Sequence, residues 1–501
     1  MKNSICKGKD KYFTDVTKAK MAQDRRDFME SCKTGDLHSV SYLLEVKEVE
    51  PNLKDEWNST ALYYACLCGH KNVVIYLLEN GAKCEAKTFD GERCLYGALT
   101  DEIRDILKSY KAVVTGHARR NFYLDFMKRL LEASCYSDIT FVIHNETFAA
   151  HRCILQSRNE YFAEMLETRW KNKSTVHIKS SLVRPQAFKR VLEYVYTGTL
   201  QVHINIVDDC LRFAKQCGMT SLIEKINQRL KEIEDYVPSK PGTHIHIVSV
   251  EPSLDDTPVQ DDLNQLAQMA FPVEKRDPLA QGVFPFCGGL LQVPPYTDVC
   301  FEVEQDKFFC HKMFFTERSD YFKGLFADHF NEVSLDQNSI PIISLHEVTS
   351  DVFMQVIYYL YTDSVNLTED LCYEILVVAD LYLLPGLKRL CANKIASQLT
   401  EESVFQVLRV SRMFSLVKLE DQCVEFISRI VERITDNEEF IELVKEDAAS
   451  VENREEVDSI TIIDDLRYHI ANNLKMYSEL QEAQEKLSYL DHLLQELGIE
   501  G

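Results

Sequence analysis

The sequence predicts an α/β plus all-α chain in which one α/β unit occurs twice. Three observations predict it. Asp138, Phe141, Phe148, His151, Arg158, Tyr161 and Phe162 recur, in the same order and spacing, as Asp298, Phe301, Phe308, His311, Arg318, Tyr321 and Phe322. Phe188, Tyr194, Tyr196, Thr197 and Ala214 recur as Phe353, Tyr359, Tyr361, Thr362 and Ala379, at a slightly larger offset. The difference is a short insertion of the kind a surface loop tolerates inside a duplicated domain. A different repeat, with a period of roughly 33 residues, precedes the first copy, and helix-favouring sequence comes after the second.

Composition sets the outer bounds. The chain has 501 residues, enough for about three to five domains. With 45% hydrophobic and 27% charged residues it can bury a core. A formal charge of -23 argues against unaided binding to nucleic acid or to acidic membranes, which needs clustered Lys and Arg. The 16 Cys are scattered without a C-x-x-C pair, which reads as free thiols in a reducing compartment. No run of about 18 apolar residues is present. The amino-terminal stretch from Met1 to Lys20 carries six Lys against two Asp. Acidic residues without Arg favour a mobile basic tail, residues 1–24, over a transit peptide.

Residues 25–110 hold the short repeat. Thr60, Leu62 and Ala65 open its middle unit, and Leu95 and Ala98 answer Leu62 and Ala65 in the next. Gly35 with Leu43 and Leu44 answers Gly69 with Leu77 and Leu78 in the unit before. A T-x-L-x-x-A turn with Gly between two short apolar helices resembles the ankyrin repeat. Tyr63 stands where that family usually has His, which leaves the customary turn hydrogen bond open. So few repeats are marginal alone and are expected to lean on the segment after them. Tyr123, Phe126, Met127, Leu130 and Leu131 next form one helical stripe. It needs a partner in the last repeat or in another copy of the module it precedes.

Within each copy, D-[IV]-x-F-x-[IV] alternates like a half-buried strand. A second strand is expected at Phe148 or Phe308, then two short helices from His151 or His311, and later a helix through Phe188 or Phe353. With R-[NS]-x-Y-F and Y-x-Y-T this order resembles the BTB/POZ domain, an α/β interaction module, over residues 119–235 and 288–395. Asp138 with Arg152, and Asp298 with Lys312, read as structural charged pairs; in that family such a pair lies near a helix-swapped interface. His151 and His311 read as packed, hydrogen-bonded residues.

The whole arrangement resembles the ankyrin repeat and BTB/POZ domain-containing proteins with two BTB modules. That resemblance implies an adaptor for a cullin-3 ubiquitin ligase. Cullin-binding BTB domains carry an apolar-x-Glu triplet after the helix bearing the Tyr-Phe pair. The second copy has Phe330-Asn331-Glu332 there; the first has Trp170-Lys171-Asn172, which keeps the anchor and loses the carboxylate. An aromatic anchor beside a carboxylate makes a compact hot spot, so Phe330 and Glu332 are the expected cullin contacts. Residues 396–446 resemble the helical BACK or 3-box extension.

Nine of the 13 Pro fall from Pro238 to Pro295, marking residues 236–287 as a largely extended linker that separates the copies. Residues 243–250 alternate like an edge strand, and Leu263, Leu266, Ala267, Ala270 and Phe271 share a helical face. As a flexible coil of about 50 residues it spans roughly 40 Å, which would let the copies pair within one chain; pairing between chains stays open. His244 and His246 lack a third ligand and read as strand residues. Residues 447–501 combine an acidic segment, read from Glu438 to Asp465 as a solvated face or loop, with a helix. Leu480, Ala483, Leu487, Leu490, Leu494 and Leu497 on that helix fit either a short coiled coil or packing on its own domain.

The expected function is therefore non-enzymatic. A cullin-3 ligase would bind the second module and a protein substrate the ankyrin face, where Trp57, Asn58 and Phe89 are the candidate contacts. The alternative is a BTB-paired scaffold or transcriptional co-regulator without a ligase. No catalytic residue, cofactor or metal set is expected, since no Gly-rich phosphate loop, nucleophile elbow or metal spacing occurs. Cytoplasm is the expected compartment, with the nucleus left open.

Overall fold

Short apolar helices joined by tight turns form the amino-terminal block of the computed structural model. The structure describes residues 23–45, 47, 49–55, 57, 59–82, 84, 89–109, 122–239, 246–251, 258–276, 293–327, 334–335, 340–451, 460–472 and 477–499. The chain divides into two units, Met1–Asn366 with Leu381–Leu387, and Leu367–Asp380 with Lys388–Gly501.

In the first block α1 (23–34) and α2 (Leu37–Glu45) precede α3 (Ala61–Cys68), α4 (Lys71–Glu79), α5 (Phe89–Gly97) and α6 (Asp101–Ser109). Helix α3 packs on α4 and α5, and α4 packs on α2 and α6. Phe28, Cys32, Leu62, Ala65, Leu77 and Ile103 belong to one continuous core. The Thr60 hydroxyl accepts from the Tyr63 backbone N–H at 3.2 Å. That cap uses Tyr63's main chain, so it survives whatever the side chain is. Gly35 and Gly69 both adopt φ +83°. A Cβ on Gly35 would run into the His70 ring, which itself hydrogen-bonds the Lys33 carbonyl at 2.8 Å through Nε2.

The first α/β copy opens with α7 (Phe122–Ala133), β1 (Ile139–Ile143), β2 (Glu146–Ala150), α8 (Arg152–Arg158), α9 (Glu160–Glu167) and β3 (Thr175–Ile178). It continues with α10 (Pro185–Thr197), β4 (Leu200–His203), α11 (Ile204–Gln216) and α12 (Thr220–Ser239). Strand β5 (Ile247–Val250), helix α13 (Pro258–Ala270) and a 3-10 turn at Val273–Lys275 come next. The second copy has β6 (Val299–Val303), β7 (Asp306–Cys310), α14 (Lys312–Thr316), α15 (Asp320–Ala327), β8 (Ser334–Leu335) and β9 (Pro341–Leu345). It ends with α16 (Ser350–Thr362), α17 (Glu369–Leu381) and α18 (Pro385–Ala396).

The two sheets match strand for strand with one exception. The first is ordered β2-β1-β3 and the second β7-β6-β9-β8. Strand β1 is antiparallel to β2 and parallel to β3, as β6 is to β7 and β9. Phe141 pairs with Phe148, and Phe301 with Phe308. Phe188 packs across the first pair of rings and Phe353 across the second.

The copies meet within one chain by exchanging their leading helices. Helix α7 packs on α10 of its own copy. It also sends the Tyr123 hydroxyl to the Tyr361 carbonyl of the other copy at 2.5 Å, and sets Phe126 6.2 Å from Phe314. Helix α13 packs on α16 and on α8 of the opposite copy. The stripe on α7 thus finds the other module. Strand β5 pairs antiparallel with β4, from Leu200↔Val250 to His203↔Ile247, and α5 approaches β5. The strand and the helix expected inside the linker are both present, as β5 and α13. The reason is local: β5 pairs with β4, and the apolar face of α13 buries Leu263, Leu266 and Ala267 completely.

The other unit holds most of α17 and α18 together with α19 (Val404–Met413), α20 (Val417–Ile434), α21 (Glu438–Val451), α22 (Thr461–Asn472) and α23 (Tyr477–Leu497), the last five packed around α20 and α22. Arg412 donates to Glu420 at 2.8 Å and to Asp447 at 2.7 and 3.0 Å. Asp447 also accepts from the first turn of α22 through Ile462 N–H at 3.1 Å. The acidic stretch after Glu438 opens as a helix that buries Phe440, Leu443 and Val444 and keeps Glu438, Glu439, Glu442 and Glu446 exposed, so the expected solvated face is one side of a helix. Helix α23 buries Ala483, Leu490 and Leu494 and packs against α20 and α22, which is packing on its own domain.

Removing the Phe126 ring leaves a cavity between two copies joined by their own linker. Phe126→Ala is expected to lower the unfolding free energy by about 3–5 kcal/mol in urea titration. Lys128→Ala, on the exposed side of the same helix, should change it by less than about 0.5 kcal/mol.

Candidate functional site

Each copy carries the same buried polar clamp. His151 Nδ1 lies 2.8 Å from the Tyr196 hydroxyl, and His151 Nε2 lies 2.8 Å from the Cys135 carbonyl. In the second copy His311 Nδ1 is 2.9 Å from the Tyr361 hydroxyl and Nε2 is 2.9 Å from the Pro295 carbonyl. A carbonyl can only accept, so Nε2 carries the proton and Nδ1 accepts from the Tyr hydroxyl. That hydroxyl accepts in turn from the His backbone N–H, at 2.8 and 3.0 Å. Burial holds both imidazoles neutral, lowering His151 and taking His311 down to about 4. Both ring nitrogens of each His are engaged by protein, so the clamp ties the turn before the first strand of each sheet to the helix bearing the tyrosine and offers no free base.

Each charged pair is tied first through the main chain. Asp138 Oδ1 accepts from the backbone N–H of Arg152 at 2.8 Å, and Asp298 Oδ1 from that of Lys312 at 2.7 Å. Those N–H groups begin α8 and α14 and have no partner within their helices, so the carboxylate is a long-range cap. The Arg152 side chain also bridges the Asp138 carboxylate, at 3.9 Å. It donates as well to the carbonyls of Lys171 at 3.4 Å and Lys173 at 2.6 Å. Lys312 Nζ sits 5.6 Å from the Phe326 ring. Burial raises both carboxyls, Asp298 to about 6 with Asp138 of the other copy adding repulsion.

The expected docking residues do not converge on one described site. Phe330 and Glu332 lie outside the described residues, as does Asn58. Trp57 is 72% exposed, with its backbone N–H on Asp55 at 2.9 Å. Phe89 is the first residue of α5. Trp170, the first copy's aromatic anchor, is buried edge-on against Phe141 at 5.3 Å. His246 stacks on His203 at 5.8 Å, while His244 lies outside the described residues. Among the described residues no group of His, Cys, Asp and Glu could hold a metal ion.

Sequence pattern alone does not single out Tyr373 and Val377. They stand one turn apart on α17 and are 45% and 53% exposed. With Ala214 set on Ala379, their first-copy counterparts on α11 are Asp208 and Arg212, both exposed. The apolar pair therefore belongs to the second copy alone. The usable signal was the difference between the copies, since each helix taken singly shows only a buried face.

The raised Asp298 gives a pH test. The folded protein binds this proton more tightly than the unfolded chain. Its contribution therefore favours folding most below pH 3.8 and is lost as pH rises through about 6. Asp298→Asn keeps a capping oxygen without the buried charge. The unfolding free energy of the variant relative to wild type should rise between pH 4 and pH 7.5, by an amount on the order of 1–2 kcal/mol in urea titrations at the two pH values.

Comparison with known proteins agrees with this architecture. The BTB/POZ domain model matches residues 127–234 and 289–399, and the model for three ankyrin repeats matches residues 19–109. BTB/POZ domain-containing protein 3 of Schizosaccharomyces pombe is 29% identical over 471 residues, covering 91% of this chain and 84% of that protein. The ankyrin repeat-containing protein YIL001W of Saccharomyces cerevisiae is 27% identical, covering 89% of this chain and 88% of its own length. The human protein named Inhibitor of Bruton tyrosine kinase is 22% identical, covering 76% of this chain and 32% of that protein. The chain is accordingly an ankyrin-repeat and BTB/POZ domain-containing protein with two BTB copies, built from modules that serve protein interaction.

Proposed function

We propose that this protein is an adaptor that recruits a protein substrate to a cullin-3 ubiquitin ligase in the cytoplasm, using the second BTB copy for the cullin and the ankyrin face for the substrate. One observation carries the reading. Exposed Tyr373 and Val377 on α17 give the second copy an apolar pair where the first has Asp208 and Arg212. Exposed aromatic and aliphatic anchors are what a partner helix buries at a hot spot. The Phe330-x-Glu332 triplet, a feature of the sequence, occurs in the same repeat. The exposed ring of Trp57 offers the ankyrin block an anchor of its own.

A scaffold without a ligase is the second reading. It is favoured by the relative named for inhibiting a kinase, a name that describes an action on another protein without mention of ubiquitin.

Capture of the amino-terminal domain of cullin-3 by the full chain distinguishes them. Wild type should bind, and Phe330→Ala, Glu332→Ala and Val377→Asp should each weaken binding at least tenfold, about 1.4 kcal/mol. The first-copy control Arg212→Asp should bind as wild type. Absence of wild-type capture would select the scaffold, and undiminished capture by all three variants would remove the contacts assigned here.

A further inference from the structure

The two sheets differ at one edge, and the difference exposes a docking strand. In the second copy β8 pairs antiparallel with β9, Ser334 opposite Ile342 and Leu335 opposite Pro341. Thr140 faces Thr175 on β3, as Cys300 faces Ile342 on β9, so Thr175 and Ile342 are equivalent positions. The chain running from β6 to β9 is longer than that running from β1 to β3. The extra residues lie ahead of β9, in the stretch that supplies β8. The first copy shows no such strand, and among the described residues β3 is the last strand of its sheet.

That edge is chemically prepared. Thr140 N–H donates to the Ser174 carbonyl at 2.8 Å. In a parallel ladder that direction gives the N–H and C=O groups of residues 174, 176 and 178 to β1, leaving those of Thr175 and His177 pointing outward. Both residues are exposed, while Val176 is buried. Beside the strand lies a groove of about 750 Å³ whose lining includes Tyr161, Met165, Trp170 and Val176. Arg169, Lys173 and Lys179 also line it, with no carboxylate among the lining residues. Arg152 fixes its rim through the Lys171 and Lys173 carbonyls.

We propose that β3 of the first copy receives an extended acidic segment of a partner protein, which adds as an antiparallel strand through the main chain of Thr175 and His177. Alternate side chains of the added strand face the Trp170 groove and call for apolar residues; the others face His177 and Lys173 and call for carboxylates. The chain's own sequence around β8, residues 331–340, illustrates the code. Transferring the β8 register onto β3 sets Val333 opposite Val176 and Leu335 opposite Ser174, with Glu332 opposite His177 and Asp336 opposite Lys173. This surface lies on the first copy and does not depend on the cullin reading.

A fluorescein-labelled peptide of sequence NEVSLDQNSI is the probe, titrated by anisotropy with the full chain. Saturable binding is expected. N-methylation of its Ser334 amide should weaken binding at least tenfold, because that N–H faces Thr175. Lys173→Glu should weaken it at least fivefold, and a probe carrying Asp336→Lys should recover the loss on that variant alone. No binding to the wild-type chain, or equal binding of the N-methylated probe, would overturn the proposal. So would self-association of the chain that the probe displaces, because the occupant would then be a second copy.

Discussion

The exchange of leading helices is the constraint on which the larger unit depends. A lone α/β copy would expose one side of its first helix and the pocket meant for another. Here Tyr123 and Phe126 on α7 enter the pocket of the second copy beside Phe314 and Tyr361, and α13 packs on α8 of the first. The exchange is not symmetric. Arg318 stacks on Tyr359 at 4.2 Å and lies 5.4 and 5.3 Å from the rings of Tyr123 and Phe126. Its counterpart Arg158 pairs with the Asp262 carboxylate of α13. Each pocket is thus tuned to one helix. Arg318 takes its carboxylate from Asp363 of its own copy, so a swap of the two would bring Asp262 to an arginine already paired and take it away from buried Arg158.

Because both pockets are filled from the same chain, pairing requires no second molecule. The linker holds the two copies at an effective concentration on the order of millimolar even before β5 and α13 dock. Docking shortens the free path further. Lys275, just after α13, bridges Asp306 at 3.0 Å and Asp351 at 2.9 Å, fastening the linker to the second copy. Strand β5 fastens it to the first. The paired α/β cores therefore behave as one body with two distinguishable sheets, and specialisation of their outer positions costs the pairing nothing.

What the sequence revealed depends on how many jobs a residue does. His151 and His311 each hold a main-chain carbonyl and a buried tyrosine, and Asp138 and Asp298 each cap a helix from a distance. Residues bound from several directions stay recognisable between copies, so the repeat was legible. The apolar stripe of α7 also read as a helix face in need of a partner, because period alone reports amphipathicity. Which of its two candidate partners it takes was not legible: the Tyr123 hydroxyl meets a carbonyl 238 positions away, and no local pattern encodes that distance. The charged pairs were legible as residues, and Asp138 does bridge Arg152, but the helix-opening N–H that each carboxylate caps was not, because sequence shows side chains only. The strand and the helix inside the linker were legible from alternation and from an apolar face, while their docking partners on β4, α16 and α8 were not.

Divergence between the copies is where function is most readable. Buried positions changed little: Phe141, Phe162 and Phe188 answer Phe301, Phe322 and Phe353, all fully or almost fully buried. Outer positions changed in kind. Asp208 and Arg212 answer Tyr373 and Val377, and among the described residues the first sheet ends at β3 where the second adds β8. Exposed tyrosine and valine gain nothing in water, and an open strand edge is a liability for any soluble chain. The basic residues around β3 blunt that edge against chance pairing, since an approaching neutral or basic strand gains no compensating charge contact. A feature that costs solubility yet is left open to water is explained by what binds it. On that argument we propose different partners for the two copies, one met through an apolar helix face and the other through a strand edge.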